Sequence, residues 1–257
     1  MNPPAETPPD VTEFTTRLAS ALTTELGDDL VGVYLHGSAA LGGYVPNVSD
    51  IDLLAVIAHP RHRRSQQRLG ELLQHHAYPC PGVGLEASVI TAATAHSLDN
   101  CPFEVHVTTE PDHHKLVCGA RHRSDPDLIL HVAVCREHGI AIAGPPPTVV
   151  FGPVPRHRIL PALLHELDWA KQHGTEAYAV LNACRAWRYA ATSDFVSKIE
   201  AGDWATAQGA PDIVTDALDQ QRSGHHHKTP SPAARAFVED IEQRLRVIRQ
   251  DPQSRLP

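Results

Sequence analysis

The sequence predicts an α/β (α+β) N-terminal domain with a mixed sheet, followed by an all-α C-terminal domain in which the helices form a bundle. Three observations support this prediction. Short apolar runs alternate with helical patterns up to about residue 150, prolines cluster at 145–155, and only helical periodicity follows. We therefore expect a disordered tail over 1–10, an N-terminal domain over 11–150 and a helical domain over 151–257.

The N-terminal domain opens with a helix and continues with strands. Phe14, Leu18, Leu22 and Leu26 recur at helical spacing, and Gly27 follows them as a stop signal. The run "LVGVYLHGS" is short, apolar and bounded by glycine, which is typical of a buried strand. By the same criteria we predict strands over 30–38, 49–59, 82–95 and 101–109, helices over 60–77 and 125–138, and a short element over 139–144.

The C-terminal part of the chain shows helical patterns and no strand signal. It follows the stretch "FGPVP", which together with the preceding prolines forms the clearest linker in the sequence. We predict four helices, over 156–174, 175–192, 211–224 and 231–250.

Composition and charge limit the classes of partner. The 257 residues carry a formal net charge of −8 and no block of five or more Lys/Arg, which argues against nucleic acid because duplex binding is mostly phosphate neutralisation. An acidic chain suits a cationic small molecule better. The five cysteines form no CxxC pair, no signal-peptide pattern opens the chain, and no apolar stretch approaches the ~18 residues needed to span a bilayer. We expect a cytoplasmic monomer without a membrane partner.

The stretch "HGSAALGGYVPNVSDIDL", residues 36–53, places carboxylates where a strand should bury apolar residues. Alternate residues of a strand share one face, so we expect Asp50 and Asp52 to project together. Two such carboxylates repel each other unless a cation lies between them, and Mg²⁺ prefers oxygen ligands of this kind. The alternative is a solvated strand edge that holds no ligand.

The turn before these aspartates predicts an anion site. Gly37 can adopt backbone angles closed to other residues, and such a turn can aim several N–H groups at an anion, with the Ser38 hydroxyl as a further donor. An anion site beside a metal site suits phosphoryl or nucleotidyl transfer, in which catalysis is mainly positioning and charge neutralisation.

This combination resembles the signature of the DNA polymerase β-like nucleotidyltransferase superfamily, in which a Gly-Ser turn precedes a Ser/Thr-Asp-x-Asp motif by about ten residues. The matching residues here are Gly37, Ser38, Ser49, Asp50 and Asp52. The resemblance implies that both aspartates bind Mg²⁺ and act in catalysis. It also implies that the turn and the serine before the aspartates belong to the nucleotide site.

The superfamily resemblance also implies a third carboxylate on a neighbouring strand. Glu86 in "LEASVI" is the candidate, because a charge in such an apolar strand has no packing reason to be there. Glu104 in "FEVHV" is the rival. For Glu86 alone, without the motif upstream, an edge-strand position facing water would be an equally good explanation.

A further resemblance runs almost the length of the chain, to the aminoglycoside 3″- and 9-nucleotidyltransferases, the streptomycin and spectinomycin adenylyltransferases. It covers "LHGSAALGGYVPNVSDIDLLAV", "LEASVI", "CREHGIAIAGP", "VFGPVP" and, without a gap, "EAYAVLNACRAWRYAATSDFVSKIEAGDWA". The resemblance places Glu86 at the position of the catalytic base. It places Lys198 at the position of a lysine that reaches the phosphates of ATP, and Arg185 at that of an arginine in the nucleotide site.

The activity implied by this resemblance is Mg²⁺-dependent transfer of AMP from ATP to a hydroxyl of an aminoglycoside or aminocyclitol antibiotic, which gives resistance. ATP would bind between the two domains, and Glu86 would accept the proton of the attacking hydroxyl. The alternative is a nucleotidyltransferase with another small-molecule or protein acceptor. A non-enzymatic relative is disfavoured because Asp50, Asp52 and Glu86 are all retained.

The sequence departs from the family on the acceptor side. A drug-contacting tryptophan of the family aligns near Glu110, and an expected acidic residue is replaced by Thr175. Trp169 matches a tryptophan associated with streptomycin recognition, and Tyr178 takes the place of the next contact. Other anionic contacts with a cationic acceptor could come from Glu166, Asp168 and Glu176.

Overall fold

The computed structural model describes residues 7–111, 113–119, 124–225 and 227–250. Contacts divide the chain into two compact units, unit 1 over Met1–Val154 and unit 2 over Pro155–Pro257. The described part of unit 1 combines a mixed sheet with helices, and the described part of unit 2 is helical. The predicted fold class is therefore confirmed.

The helices and strands of unit 1 largely follow the predicted order. They are α1 Pro9–Leu26, β1 Leu30–His36, α2 Gly37–Ala40, β2 Ile51–Ile57, α3 Arg63–His76, β3 Leu85–Thr91, α4 Ala92–Ser97, β4 Val105–Thr108, β5 Lys115–Cys118, α5 Leu128–His138, β6 Ile140–Ala143 and α6 Pro147–Val150. Of the predicted tail, residues 1–6 lie outside the described residues, whereas Pro9 and Asp10 already belong to α1.

The sheet places two strands with carboxylates side by side at its centre. Its six described strands have the order β5-β4-β3-β2-β1-β6. Strands β2 and β3 run parallel, and the other neighbouring pairs are antiparallel. Because side chains alternate along each strand, the sheet has two chemically separate faces.

Each face of the sheet is covered by a different group of helices. One face packs its odd-numbered residues, such as Leu53 and Ala87, against α1 and α3. The other face packs even-numbered residues, such as Leu54 and Ile90, against α4, α5 and the segment around Phe151. Asp52 and Glu86 belong to this second face by the alternation of the strands.

Unit 2 contains five described helices: α7 Arg156–His173, α8 Glu176–Thr192, α9 Lys198–Ala207, α10 Ile213–Ser223 and α11 Pro232–Gln250. Helix α8 packs against each of the other four, and most of its residues, including most of its alanines, are buried. No described helix of either unit combines the length and hydropathy needed to cross a bilayer.

The sequence patterns did not indicate helices α2, α4, α6 and α9 or the edge strand β5. Residues 37–38 and 92–95, predicted as the ends of strands, lie instead in α2 and α4. In α9 the middle position is Gly202, a poor helix former. A side chain there would collide with Leu181 and Leu218, so close packing against α8 and α10 explains the glycine.

Candidate functional site

The parallel pairing of β2 with β3 brings two of the predicted carboxylates together. Asp52 lies directly opposite Glu86 in the register, and His36 lies opposite Asp52 on the other side. Asp50 lies just before β2, where the chain enters the sheet. Among the described residues, Asp50, Asp52 and Glu86 form a group whose ligand oxygens, one from each residue, all lie within 4.8 Å of one another.

These three side chains are half-buried, and their charges repel. Burial raises the pKa of Glu86 well above its usual range, and repulsion from Asp52 and Asp50 raises it further. A cation among the three carboxylates would remove this penalty, and oxygen-only ligand sets suit Mg²⁺. The donor chemistry and the spacing of the group therefore fit a divalent metal ion.

The Gly-Ser turn is built against one of these carboxylates. Gly37 has φ +60° and begins α2 directly after β1. A Cβ at this position would collide with the carboxylate of Asp52. Glycine is therefore required here by both the backbone angle and the close approach, which a sequence pattern alone does not reveal.

Ser38, the second residue of the turn, has an enclosed hydroxyl. Its Oγ is shielded from solvent and has no hydrogen-bond partner among the described residues. A buried hydroxyl left unsatisfied is costly, so its presence is accounted for if a ligand supplies the missing partner.

Ser49 has a structural contact within the loop that leads to Asp50. Its Oγ accepts a hydrogen bond from the backbone N–H of Val45 at 3.0 Å, and its own N–H donates to the Val45 carbonyl at 2.9 Å. The Ser49 carbonyl also accepts from the N–H of Val83 at 3.1 Å. These contacts hold the loop at the start of β2 and so position Asp50.

Glu104, the rival third carboxylate, is placed elsewhere. Its Oε2 accepts hydrogen bonds from the Arg61 N–H at 2.7 Å and from Gln66 Nε2 at 2.8 Å. These bonds anchor the loop between β2 and α3. The structure thus groups Glu86, and not Glu104, with the two aspartates.

Two further aspartates influence the site and were missed at the level of sequence. Asp125 and Asp127, at the start of α5, also raise the pKa of Glu86. Asp125 Oδ1 accepts the Asp127 N–H at 3.1 Å, a local turn contact. From the sequence, "DPD" before a helix indicates only an N-terminal cap, and nothing local connects it to β3.

In unit 2 the residues predicted for nucleotide binding lie beside a predicted acceptor contact. The Lys198 ammonium lies over the ring of Tyr178, with Nζ 4.2 Å from the ring centroid. Arg185 Nη1 donates to Asn182 Oδ1 at 3.1 Å. Tyr178, Asn182 and Arg185 all belong to α8, and the lysine is the first residue of α9.

The remaining predicted acceptor contacts have diverse surroundings. Trp169 is 40% exposed, stacks on His173 and meets the Tyr178 ring edge-on at 5.8 Å between centroids. Thr175 caps α8 by accepting the Tyr178 N–H at 3.2 Å. Glu110 follows β4 in unit 1, where its carbonyl accepts the N–H of His113 at 3.0 Å.

Glu176, also a predicted acceptor contact, is buried and fully engaged. Its Oε1 accepts from Gln220 Nε2 at 3.1 Å and contacts His227 Nδ1 at 2.9 Å, and its Oε2 accepts the Ser231 N–H at 2.8 Å. Burial alone would raise its pKa, but the hydrogen bonds, led by those from Ser231, outweigh that effect and lower the pKa to about 2. This carboxylate therefore has a structural role, because it joins three separate segments of unit 2.

Comparison with known protein families covers both units. The model described as "Aminoglycoside adenylyltransferase, C-terminal domain" matches residues 149–251, and the model described as "Nucleotidyltransferase domain" matches residues 17–102.

Individual relatives agree with these matches. An aminoglycoside (3'') (9) adenylyltransferase of Shigella flexneri is 30% identical over 218 residues, which are 76% of this chain and 79% of the relative. A spectinomycin 9-adenylyltransferase of Staphylococcus aureus is 29% identical over 220 residues, 77% of this chain and 79% of the relative. The crystal structure of spectinomycin adenyltransferase AAD(9) from Enterococcus faecialis with ATP and spectinomycin is similar in fold, with a TM-score of 0.70, 16% identity and coverage of 91% of this chain and 98% of that one.

Proposed function

Because the chain belongs to the aminoglycoside adenylyltransferase family and is an adenylyltransferase, we propose that it transfers AMP from ATP to a hydroxyl of an aminoglycoside or aminocyclitol antibiotic. The observation that supports this proposal most strongly is the group formed by Asp50, Asp52 and Glu86 beside the Gly-Ser turn. Resistance to the modified antibiotic follows, since an added adenylyl group changes both its shape and its charge.

The three carboxylates would have two roles, metal binding and proton transfer. Asp50 and Asp52 would hold Mg²⁺, which when bound neutralises phosphate charge and polarises the phosphoryl group. Glu86 would accept the proton of the acceptor hydroxyl as that oxygen attacks the α-phosphorus, and pyrophosphate is the leaving group. The parallel register of β2 with β3 supports this division, because it fixes the base next to a metal ligand.

The chain also offers groups for the triphosphate of ATP. The backbone turn at Gly37 and the enclosed hydroxyl of Ser38 would bind phosphate oxygens, and the latter would thereby gain the partner that it lacks. Ser49 would contribute by holding the loop before the aspartates. In unit 2, Lys198 and Arg185 would supply positive charge for binding of the nucleotide.

The experiment that tests the proposal measures the reaction and identifies the product. Purified protein is incubated with ATP, Mg²⁺ and a panel of acceptors that includes streptomycin, spectinomycin and uncharged sugars. We expect pyrophosphate release that depends on a cationic acceptor, together with an acceptor mass increased by one adenylyl group. Omission of Mg²⁺ should abolish both signals.

The acceptor panel also decides between the proposal and its alternative, a different small-molecule or protein acceptor. This alternative is kept because the chain departs from the family at the predicted acceptor contacts. Thr175 caps a helix, and the buried carboxylate of Glu176 accepts hydrogen bonds within the protein. Turnover with another acceptor class and none with any aminoglycoside or aminocyclitol would support the alternative. Failure of cells that express the chain to survive these antibiotics would point the same way.

A further inference from the structure

Three carboxylates of unit 2 are candidates for recognising a cationic acceptor, and the structure separates them. Glu176 has both oxygens engaged within the protein. Asp168 is exposed and lies beside Gln172 and Lys171, with its oxygens 3.2 Å and 3.5 Å from their side-chain nitrogens. Glu166, on α7, is neither fully engaged within the protein nor exposed, and its surroundings suit a ligand.

One oxygen of Glu166 is fixed and the other is open. Oε1 accepts a hydrogen bond from the Tyr178 hydroxyl at 2.6 Å and a second from Asn182 Nδ2 at 3.0 Å. Oε2 has no hydrogen bond or ion pair with any described residue and is not among the enclosed atoms. The two bonds to α8 hold the carboxylate in a defined orientation, so that its second oxygen is presented in place.

One of the aromatic residues beside Glu166, Tyr178, already contacts an ammonium group. Lys198 Nζ lies 4.2 Å from the centroid of the Tyr178 ring, within the range of a cation–π contact. Trp169 meets the same ring edge-on and is 40% exposed, so part of its indole surface is open to a ligand. A carboxylate next to electron-rich rings is a general solution for binding alkylammonium and guanidinium groups.

We propose that Glu166 is a specificity-determining residue, whose Oε2 binds an ammonium or guanidinium group of the acceptor beside Tyr178 and Trp169. This inference rests on the proposed function, because it assigns a role in selecting the acceptor of that reaction. It accounts for how the chain manages without the acidic residue that Thr175 replaces. Tyr178 then has two roles: its hydroxyl orients the Glu166 carboxylate through a hydrogen bond, and its ring lines the subsite.

The test compares Glu166→Gln with the wild type in steady-state kinetics. Glutamine keeps an oxygen that can accept from Tyr178 and Asn182 but removes the negative charge. A hydrogen bond to a charged group contributes about 1.5–3 kcal/mol, so we expect the KM for a cationic acceptor to rise roughly 10- to 100-fold. The KM for ATP and the kcat at saturating acceptor should change less than about threefold, within the context dependence of single contacts.

The matched control is Glu200→Gln, which removes an exposed carboxylate of α9 in the same unit. It should leave the acceptor KM unchanged. A second measurement distinguishes charge from shape, because salt screens ion pairs. The acceptor KM of the wild type should rise with ionic strength, and that of Glu166→Gln should rise much less.

An unchanged acceptor KM in folded Glu166→Gln would overturn the inference, and so would an equal salt dependence in the two proteins. Folding is checked by the melting temperature, which should stay within a few degrees of the wild type. A wild type that adenylylates no cationic acceptor at all would instead refute the proposed function. The two failures are therefore distinguishable.

Discussion

Glu86 in unit 1 is half-buried and Glu176 in unit 2 is buried, and their surroundings shift the pKa in opposite directions. Glu86 faces Asp50 and Asp52, and burial together with this repulsion raises its pKa well above the usual range. Glu176 is surrounded by donors from Ser231, His227 and Gln220, and its pKa falls to about 2. Negative charges of unit 1 act on Glu86, whereas hydrogen-bond donors of unit 2 act on Glu176.

This contrast is what we expect if the Glu86 carboxylate acts in the proposed reaction and the Glu176 carboxylate stabilises unit 2. A buried charge without compensation is destabilising, so a fold retains it only where a ligand or a reaction needs it. A buried charge with several donors joins separate segments of chain. In unit 2 the Glu176 carboxylate ties the segment before α11 to the first turn of α8.

The largest effect is expected from Asp52→Asn. It removes a proposed metal ligand and the charge that repels Glu86 most strongly. A metal ion contributes several kcal/mol to charge stabilisation, so kcat/KM should fall on the order of 10³-fold. Without Mg²⁺ the same variant should melt at or above the temperature of the wild type, because a like charge is gone. Steady-state kinetics and thermal unfolding in EDTA check the two halves, and a lower melting temperature in EDTA would contradict the repulsion argument.

The next effect is expected from Gly37→Ala. The new methyl group would collide with the Asp52 carboxylate at a position where φ is +60°. Displacing a reacting group by about 1 Å can cost on the order of 10²-fold in rate, so we expect a loss of that size in kcat.

Gly209→Ala is the matched control for this variant. Gly209 also has a positive φ, +82°, but a Cβ there would meet nothing within 4 Å. It should carry the backbone strain of about 1–2 kcal/mol and leave kcat unaltered. Equal losses of kcat in the two variants would show that strain, and not the carboxylate contact, is responsible.

A smaller effect, on stability alone, is expected from Glu176→Gln. The substitution replaces an ionised acceptor of several hydrogen bonds by a neutral amide, and leaving a buried donor unpaired costs about 1–3 kcal/mol. Urea denaturation should report a loss of this size, whereas Glu239→Gln on the exposed face of α11 should report none. Unaltered stability in Glu176→Gln would contradict the structural role of the Glu176 carboxylate.

The pH dependence of stability should also reflect the lowered pKa of Glu176. A glutamate in the unfolded chain titrates near pH 4.3, whereas Glu176 titrates at about 2 in the folded protein. Its stabilisation is therefore complete above about pH 4.3 and is lost as the pH falls towards 2. The difference in urea midpoint between the wild type and Glu176→Gln should shrink over this interval. A difference that stays constant down to pH 2 would contradict the lowered pKa.

Much of the fold could be predicted from the sequence because its elements follow strong local patterns. Apolar runs and helical spacing give most of unit 1 and four helices of unit 2, and the predicted family is confirmed. Helix α9 was missed because its pattern is interrupted by Gly202, which only its tight packing explains.

The candidate site was predictable where a motif is contiguous and not where the fold assembles it. Asp50 and Asp52 lie within one motif, whereas choosing Glu86 over Glu104 required the resemblance and gains support from the register. The influence of Asp125 on Glu86 depends on tertiary packing, as does the open oxygen of Glu166. No local pattern of the sequence indicates that Asp125 acts on Glu86 or that one oxygen of Glu166 is open to a ligand.

The most direct measurement compares AMP transfer and thermal unfolding in Glu86→Gln and Glu176→Gln. General bases typically contribute 10²–10⁴-fold, so Glu86→Gln should lose about that factor in kcat while its melting temperature in EDTA does not fall. Glu176→Gln should lose melting temperature and keep its kcat. A Glu86→Gln protein that transfers AMP at the rate of the wild type would contradict the assignment of the catalytic base and, with it, the contrast between the two carboxylates.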